Sequence, residues 1–513
     1  MTATLGTTPV RTDPAPPALP ALARGPVWTL AGALGMVLLL TSGHYGYFGD
    51  ELYYLSAGKH LAWGYADQPP LVPLLASLMD SLFPGQVAGF RLPATVITAL
   101  GTVVVALLAR EFGGGRRAQV LAAATYTVSL GTLWTGHLLT TPTLDVVLWA
   151  VIVLLVVRWV RLDRAGVRAD RLLLWAGLVT AVDLQVKYLV PVLWIGLAVG
   201  MLAVGPRRML TRPLLWAGAA ITVVTIIPAM LWQAANGWPQ LEMTDQISHE
   251  ISGGTGFAGK LVNAPVILLW AGVLVGTVLL GYGCWRLLRS PALRPYRFLA
   301  IAALVVVVVF VVSGGRPYYS AGIFAPLWAA AAVEIEQGEP AKWWRWVTTW
   351  PVFAVSGLLA AALTLPVLPA STVSPTDEFL SKPGSVGWPE LAGDVASVYR
   401  GLPPDERRKA ILIGEDYWQA SALEHYGEPL GLPAAYSPNR GFWYFGAPPD
   451  DKTVALYVTA FPQALPALFD NVRKAATIDN PNGVPTSNNG VSVYVVSGPK
   501  VPWSTLWPHL RRM

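Results

Sequence analysis

Phe48-Gly49-Asp50-Glu51-Leu52-Tyr53-Tyr54 follows directly on the first long hydrophobic run, so two adjacent carboxylates sit where a membrane helix would leave the bilayer. Tyr65-Ala66-Asp67-Gln68-Pro69-Pro70-Leu71 comes next, and then an arginine in Phe90-Arg91-Leu92-Pro93. Charge at a membrane boundary is costly and marks function more often than packing. The stretch therefore points to chemistry at the outer face of a membrane, on a substrate that is itself lipid-bound.

Composition sets the class. Of 513 residues, 54% are hydrophobic and only 13% charged, with a mean hydropathy of +0.48. Soluble domains carry roughly a quarter charged residues, so most of this chain is solvated by lipid. Its 22 tryptophans suit the same environment, because indole favours the membrane interface. Basic residues gather in short loops between apolar runs: Arg110/Arg116/Arg117, Arg158/Arg161/Arg164/Arg168/Arg171, Arg207/Arg208/Arg212 and Arg286/Arg289/Arg294/Arg297. That is the positive-inside pattern of cytoplasmic loops. The basic pI of about 9.3 thus reports topology rather than a nucleic-acid partner.

Hydrophobic segments fall near 26–43, 92–109, 118–136, 144–160, 172–186, 189–205, 213–232, 265–285, 298–312, 321–334 and 347–366. Each is about long enough to span a hydrocarbon core, which predicts roughly eleven membrane helices. The expected class is a mainly α, polytopic helix bundle at 26–366 with the amino terminus inside. Residues 1–25 read as a disordered cytoplasmic tail; a cleaved signal peptide over 1–43 is the alternative. A Ser/Pro/Thr/Gly-rich linker at 367–387 leads to a small α/β domain at 388–513, on the outer side after an odd number of crossings. Its expected strands lie at 410–413, 454–458 and 491–496, and its helices near 389–400, 417–426 and 461–474. Cys284 is the single cysteine, so no intramolecular disulfide forms.

The succession "one helix, Asp-Glu-x-Tyr-Tyr, Gly-Tyr-x-Asp-x-Pro-Pro-Leu, Arg-Leu-Pro" resembles the GT-C membrane glycosyltransferases, of the protein O-mannosyltransferase and aminoarabinose-transferase type (glycosyltransferase family 39-like). The resemblance continues through Gly136-His137-Leu138-Leu139-Thr140-Thr141 and Asp145, Val186-Lys187-Tyr188, Leu231-Trp232-Gln233-Ala234-Ala235-Asn236-Gly237-Trp238-Pro239 and Gly315-Arg316-Pro317-Tyr318-Tyr319. It extends into the outer domain at Tyr426-Gly427 and Gly431-Leu432-Pro433. It implies transfer of a sugar from a polyprenyl phosphate to an acceptor hydroxyl at the outer leaflet, usually with inversion. The acceptor is a protein, a glycan or a lipid, and the setting is the plasma (inner) membrane.

The residues can be set against that chemistry. An attacking hydroxyl must lose a proton, which calls for a carboxylate base. Asp50 fits that role; Glu51 would share the site, orient the acceptor or help hold a metal. Both also suit a helix amino terminus as plain caps. The departing phosphate needs positive charge, and the scarce outer cations Arg91, Lys187 and Arg316 are the candidates, with Tyr318 and Tyr319 as hydroxyl donors. Interfacial anchoring is their bland alternative. Asp67, His137 and Asp145 are candidate substrate contacts, although Asp67 also suits a helix start at Pro69-Pro70. Pro142 replaces an acid that is common in the family just after the Thr-Thr pair.

Six histidines are scattered without metal-ligand spacing. A divalent cation (Mg or Mn) held by Asp50, Glu51 and the donor phosphate is the better metal reading. The stretch 238–260 reads as a long outer loop whose glycines make it a mobile flap. The rival class is a secondary transporter or flippase of a lipid-linked or small solute. Transporters usually show repeated halves and broken helices at mid-membrane, whereas these charges gather in outer loops. A non-catalytic scaffold would leave the acids of the first loop without a purpose. The outer domain shows no catalytic constellation in its sequence.

Overall fold

The computed structural model describes residues 19–338, 340–373, 383–478, 486 and 488–513. The expected tail falls largely outside them, as does the middle of the expected linker.

Each of the eleven hydrophobic segments contains helix. Among the described residues, five helices are long and apolar enough to cross a membrane: Arg24–Thr41, Leu92–Glu111, Thr141–Arg164, Pro213–Ala235 and Arg294–Ser313. The pair Phe257–Ala271 and Val275–Arg289 makes a sixth if it counts as one span, bent by 104°. Gly272, at φ +134°, lies in that break. Val190–Val204 and Trp350–Thr364 are apolar but shorter. The segment at 118–136 splits into Arg116–Thr127 and Leu130–Gly136, the second capped by the Ser129 hydroxyl. Leu71–Leu82 is a further short apolar helix, outside the eleven expected segments.

The stretch at 238–260 is not an open loop. It forms the helices Pro239–Ser252 and Phe257–Asn263, joined through Gly253, Gly254 and Gly256, all at positive φ. These glycines supply the sharp reversal that residues with a Cβ resist.

At the carboxyl-terminal end a five-stranded mixed sheet has the order β2-β1-β3-β5-β4. The strands are β1 (Ala410–Gly414), β2 (Ala435–Tyr436), β3 (Val454–Thr459), β4 (Phe469–Thr477) and β5 (Ser492–Pro499). β1 runs parallel to β2 and β3, whereas β5 pairs antiparallel with β3 and β4. β4 corrects the helix expected at 461–474. Only Leu465–Leu468 is α-helical there, and pairing with β5 draws the following residues into an edge strand. Local propensity yields to such pairing.

Side chains alternate across a strand, and the sheet uses both faces. Ile411, Ile413, Ala455 and Tyr457 pack with Trp503 and Trp507 on one face. Leu412, Leu456 and Val458 pack on the other with Leu391, Val395 and Leu423 of the helices Trp388–Arg400 and Tyr417–Gly427. That second core does not stop at the sheet. It continues through Tyr47, Leu52, Tyr53, Val72 and Phe90 of the first loop region. The Tyr417–Gly427 helix is therefore wedged between the sheet and the Gly49–Lys59 helix, and one apolar core ties both layers together.

Candidate active site

The Gly49–Lys59 helix carries both acids of the opening motif, and its geometry separates them. Consecutive residues of a helix do not share a face. Glu51 turns inward and is fully buried. Its carboxylate reaches back to the Phe48 N–H (2.8 Å), so the capping reading holds for this residue. It also accepts from the Leu139 N–H (2.8 Å) and forms a two-pronged pair with Arg91, at 2.8 Å to Nε and 2.6 Å to Nη2. Arg91 spends its remaining donors on the carbonyls of Ser42 and Gly46. Neither residue lines the cavity described next, and both are fully engaged with each other and the backbone.

Asp50 turns the other way, into a cavity of about 910 Å³. Its wall also includes Asp67, Lys187, Glu250, Arg316, Tyr318, Tyr319, Tyr417, Trp418 and Arg440. The Tyr417 hydroxyl and the Trp418 indole N–H both donate to Asp50 Oδ1, each at 2.8 Å. Burial and the neighbouring Asp50 push the Tyr417 hydroxyl well above its ordinary value, so it remains a donor. Two donors on one oxygen fix the carboxylate's orientation.

Close approach makes that contact possible. A Cβ at Gly49 would overlap the Trp418 indole, and a Cβ at Gly441 would overlap the Tyr53 hydroxyl. Across the cavity Asp67 Oδ1 accepts from that same Tyr53 hydroxyl at 3.0 Å. Burial pushes the Asp67 carboxyl up to about 6, against the pull of Arg440 and the Tyr53 hydrogen bond. The loop carrying Asp67 is pinned by Gln233, whose side-chain amide donates to the Tyr65 carbonyl at 2.7 Å.

The lining is also cationic and aromatic. Lys187 Nζ lies 4.2 Å from the centre of the Tyr319 ring and 5.1 Å from that of Tyr318, a cation–π arrangement. Burial pulls the Lys187 ammonium down to about 8, opposed by Asp145. Arg316 and Arg440 both bind Glu250, at 2.8 Å and 3.2 Å. The cavity thus brings the carboxylates Asp50, Asp67 and Glu250 together with the cations Lys187, Arg316 and Arg440 and the phenols Tyr318 and Tyr319.

Of the sequence candidates, Asp50, Asp67, Lys187, Arg316, Tyr318 and Tyr319 are brought together. Glu51, Arg91, His137 and Asp145 do not line the cavity. His137 Nδ1 lies 3.2 Å from the Leu133 carbonyl, and Asp145 Oδ1 accepts from the Trp149 indole at 3.1 Å. With both Glu51 oxygens already bound, an ion held jointly by Asp50 and Glu51 does not fit. Among the described residues there is no cluster of three or more His, Cys, Asp or Glu suited to a metal.

Tyr417, Trp418 and Arg440 escaped sequence reasoning. They lie in the carboxyl-terminal layer, and nothing in their spacing announces that Asp50 is opposite. The one available signal is the Asp416 cap of the Tyr417–Gly427 helix, which puts two aromatics on its first turn.

Residues 67–232 match the family model described as dolichyl-phosphate-mannose-protein mannosyltransferase. The structure superposes on that of ArnT from Cupriavidus metallidurans bound to undecaprenyl phosphate with a TM-score of 0.59 at 16% identity, covering 91% of this chain and 97% of ArnT. The apo form of the same protein gives 0.58 at 15% identity over the same shares of the two chains. No curated protein matches in sequence. The chain has the GT-C fold, with multiple apolar helices.

Proposed function

We propose that this chain transfers a sugar from a polyprenyl phosphate to an acceptor hydroxyl, with inversion, at the outer face of the plasma (inner) membrane. One observation carries the reading: a single cavity is lined by a hydrogen-bonded carboxylate, Asp50, and by the cations Lys187, Arg316 and Arg440. The first suits a hydroxyl that must lose a proton; the second suits a phosphate that gains charge as it departs. ArnT, with the same fold, was captured with undecaprenyl phosphate, which supports a lipid phosphate as the leaving group here.

Asp50 is the base. Its Oδ1 is occupied by Tyr417 and Trp418, which leaves Oδ2 for the acceptor proton. Asp67 orients the acceptor or the sugar. Lys187, Arg316, Tyr318 and Tyr319 receive the phosphate as the glycosidic C–O bond breaks. Glu51 and Arg91 are positioning residues: their ion pair locks the start of the Gly49–Lys59 helix and so the direction of Asp50. With Val190–Val204, Trp350–Thr364 and the helices Arg116–Thr127 with Leu130–Gly136, Arg171–Asp183 and Phe324–Gln337 counted as crossings, the chain makes about eleven, with basic loops inside and the sheet-bearing domain at 388–513 outside. The acceptor is a protein, glycan or lipid; if a divalent cation takes part, Asp50 would be the residue to hold it, and it would supply positive charge to the departing phosphate. A solute pathway is disfavoured because the charges gather at one end of the helices.

The test is transfer of labelled sugar from a panel of polyprenyl-phosphate donors in proteoliposomes. Wild type should turn over and Asp50→Asn should lose about 10²- to 10⁴-fold while still binding donor. A wild type inert across the panel, or a fully active Asp50→Asn, would sink the assignment.

A further inference from the structure

Glu250 is shared by two arginines from different layers, Arg316 among the membrane helices and Arg440 in the carboxyl-terminal layer. Its Oε2 accepts from Arg316 Nη2 at 2.8 Å and its Oε1 from Arg440 Nη2 at 3.2 Å. Arg316 precedes the turn Pro317–Ile323, whereas Arg440 belongs to the carboxyl-terminal sheet layer. Both guanidinium groups line the same cavity as Lys187 and Asp50.

Arg440 is held there under strain. Its φ of 48° is left-handed, a conformation that a residue with a Cβ adopts only at a cost. Neighbouring structure enforces it. The Arg440 N–H donates to the Arg512 carbonyl at 2.8 Å, and Gly441 beside it leaves room for the Tyr53 hydroxyl. The guanidinium lies 4.9 Å from the centre of the Tyr417 ring and donates to the Tyr417 hydroxyl at 3.1 Å. Backbone strain of this kind persists where surrounding contacts over-determine a functional geometry.

A carboxylate with its two oxygens split between two guanidinium groups makes the contacts that two oxygens of a phosphate would make. We infer that Arg440 is the second arm of the phosphate-binding site, delivered by the carboxyl-terminal layer, and that Glu250 is the internal anion which an incoming lipid phosphate displaces from both arginines. This rests on the polyprenyl-phosphate reading above. It gives the carboxyl-terminal layer a direct part in the site: the layer that orients Asp50 through Tyr417 and Trp418 also supplies charge to the leaving group.

Affinity for undecaprenyl phosphate, the sugar-free leaving group, tests this with the full chain in nanodiscs. Arg440→Ala should weaken binding about tenfold or more, the scale of one lost charge-assisted hydrogen bond. Arg440→Lys, which keeps the charge but not the planar fork, should recover part of it. Glu250→Gln should bind about threefold to tenfold tighter, because the site no longer carries its own competitor; a misfolded variant would not gain affinity. If Arg316→Ala weakens binding while Arg440→Ala binds as wild type does, the inference falls and the lipid-phosphate reading stands. Weaker binding by Glu250→Gln would overturn the displacement. A wild type that does not retain undecaprenyl phosphate would remove the underlying reading, and this inference with it.

Discussion

The Tyr417 hydroxyl donates to Asp50 Oδ1 over 2.8 Å although 367 positions separate the two residues in the chain. The phenol comes from a helix that the sheet holds in place, and the carboxylate from the first loop after the first long helix. A base whose direction is set by a distant layer is sensitive to that layer's docking.

Tyr417→Phe removes the hydroxyl and leaves the ring that packs against Tyr53 at 5.1 Å. Turnover should fall about tenfold, the scale of one hydrogen bond to a charged group, with KM for donor little changed. A loss confined to KM would contradict a role for Tyr417 through Asp50.

Gly49→Ala puts a Cβ into the Trp418 indole. The clash forces the two layers apart, so activity should fall together with thermal stability, by about 1–3 kcal/mol for an overpacked contact. Gly49→Ala combined with Trp418→Ala should recover stability but not turnover, which differential scanning fluorimetry and the transfer assay read separately.

Glu51→Gln leaves Arg91 buried without its counter-charge. Breaking a buried pair from one side costs about 3–5 kcal/mol, so unfolding temperature should drop sharply. Replacing both, as Glu51→Gln with Arg91→Met, should restore much of the stability. Equal stability of wild type and Glu51→Gln would show that the pair does not hold the helix start.

Lys187 titrates at about 8 because burial disfavours its charge. The ammonium is present below that pH and is lost as pH rises through it, so affinity for lipid phosphate should decline on the alkaline side. Lys187→Arg keeps its charge throughout and should flatten that limb. An identical alkaline decline in both proteins would assign it to another group.

Much of the site was legible in residue order because the first loop concentrates it: Asp50 and Asp67 fall within one short stretch, and Lys187, Arg316, Tyr318 and Tyr319 stand out as rare polar groups among apolar runs. Glu51 and Arg91 carried the same signal of charge at a boundary, yet they neutralise each other in the interior. Sequence cannot tell these fates apart, since a buried pair and an exposed site present the same residue types.

By itself, the sequence determined that the chain is a lipid-solvated helix bundle with a polar carboxyl-terminal segment, because hydropathy and charge placement are properties of the local chain. It also determined which loop holds the acids. Only tertiary structure decided that Asp50 and Glu51 point apart, that β4 is a strand, and that Tyr417, Trp418 and Arg440 close the cavity. Those outcomes depend on helical phase, on strand pairing and on glycine-permitted contact between layers, which are relations between residues far apart in the chain.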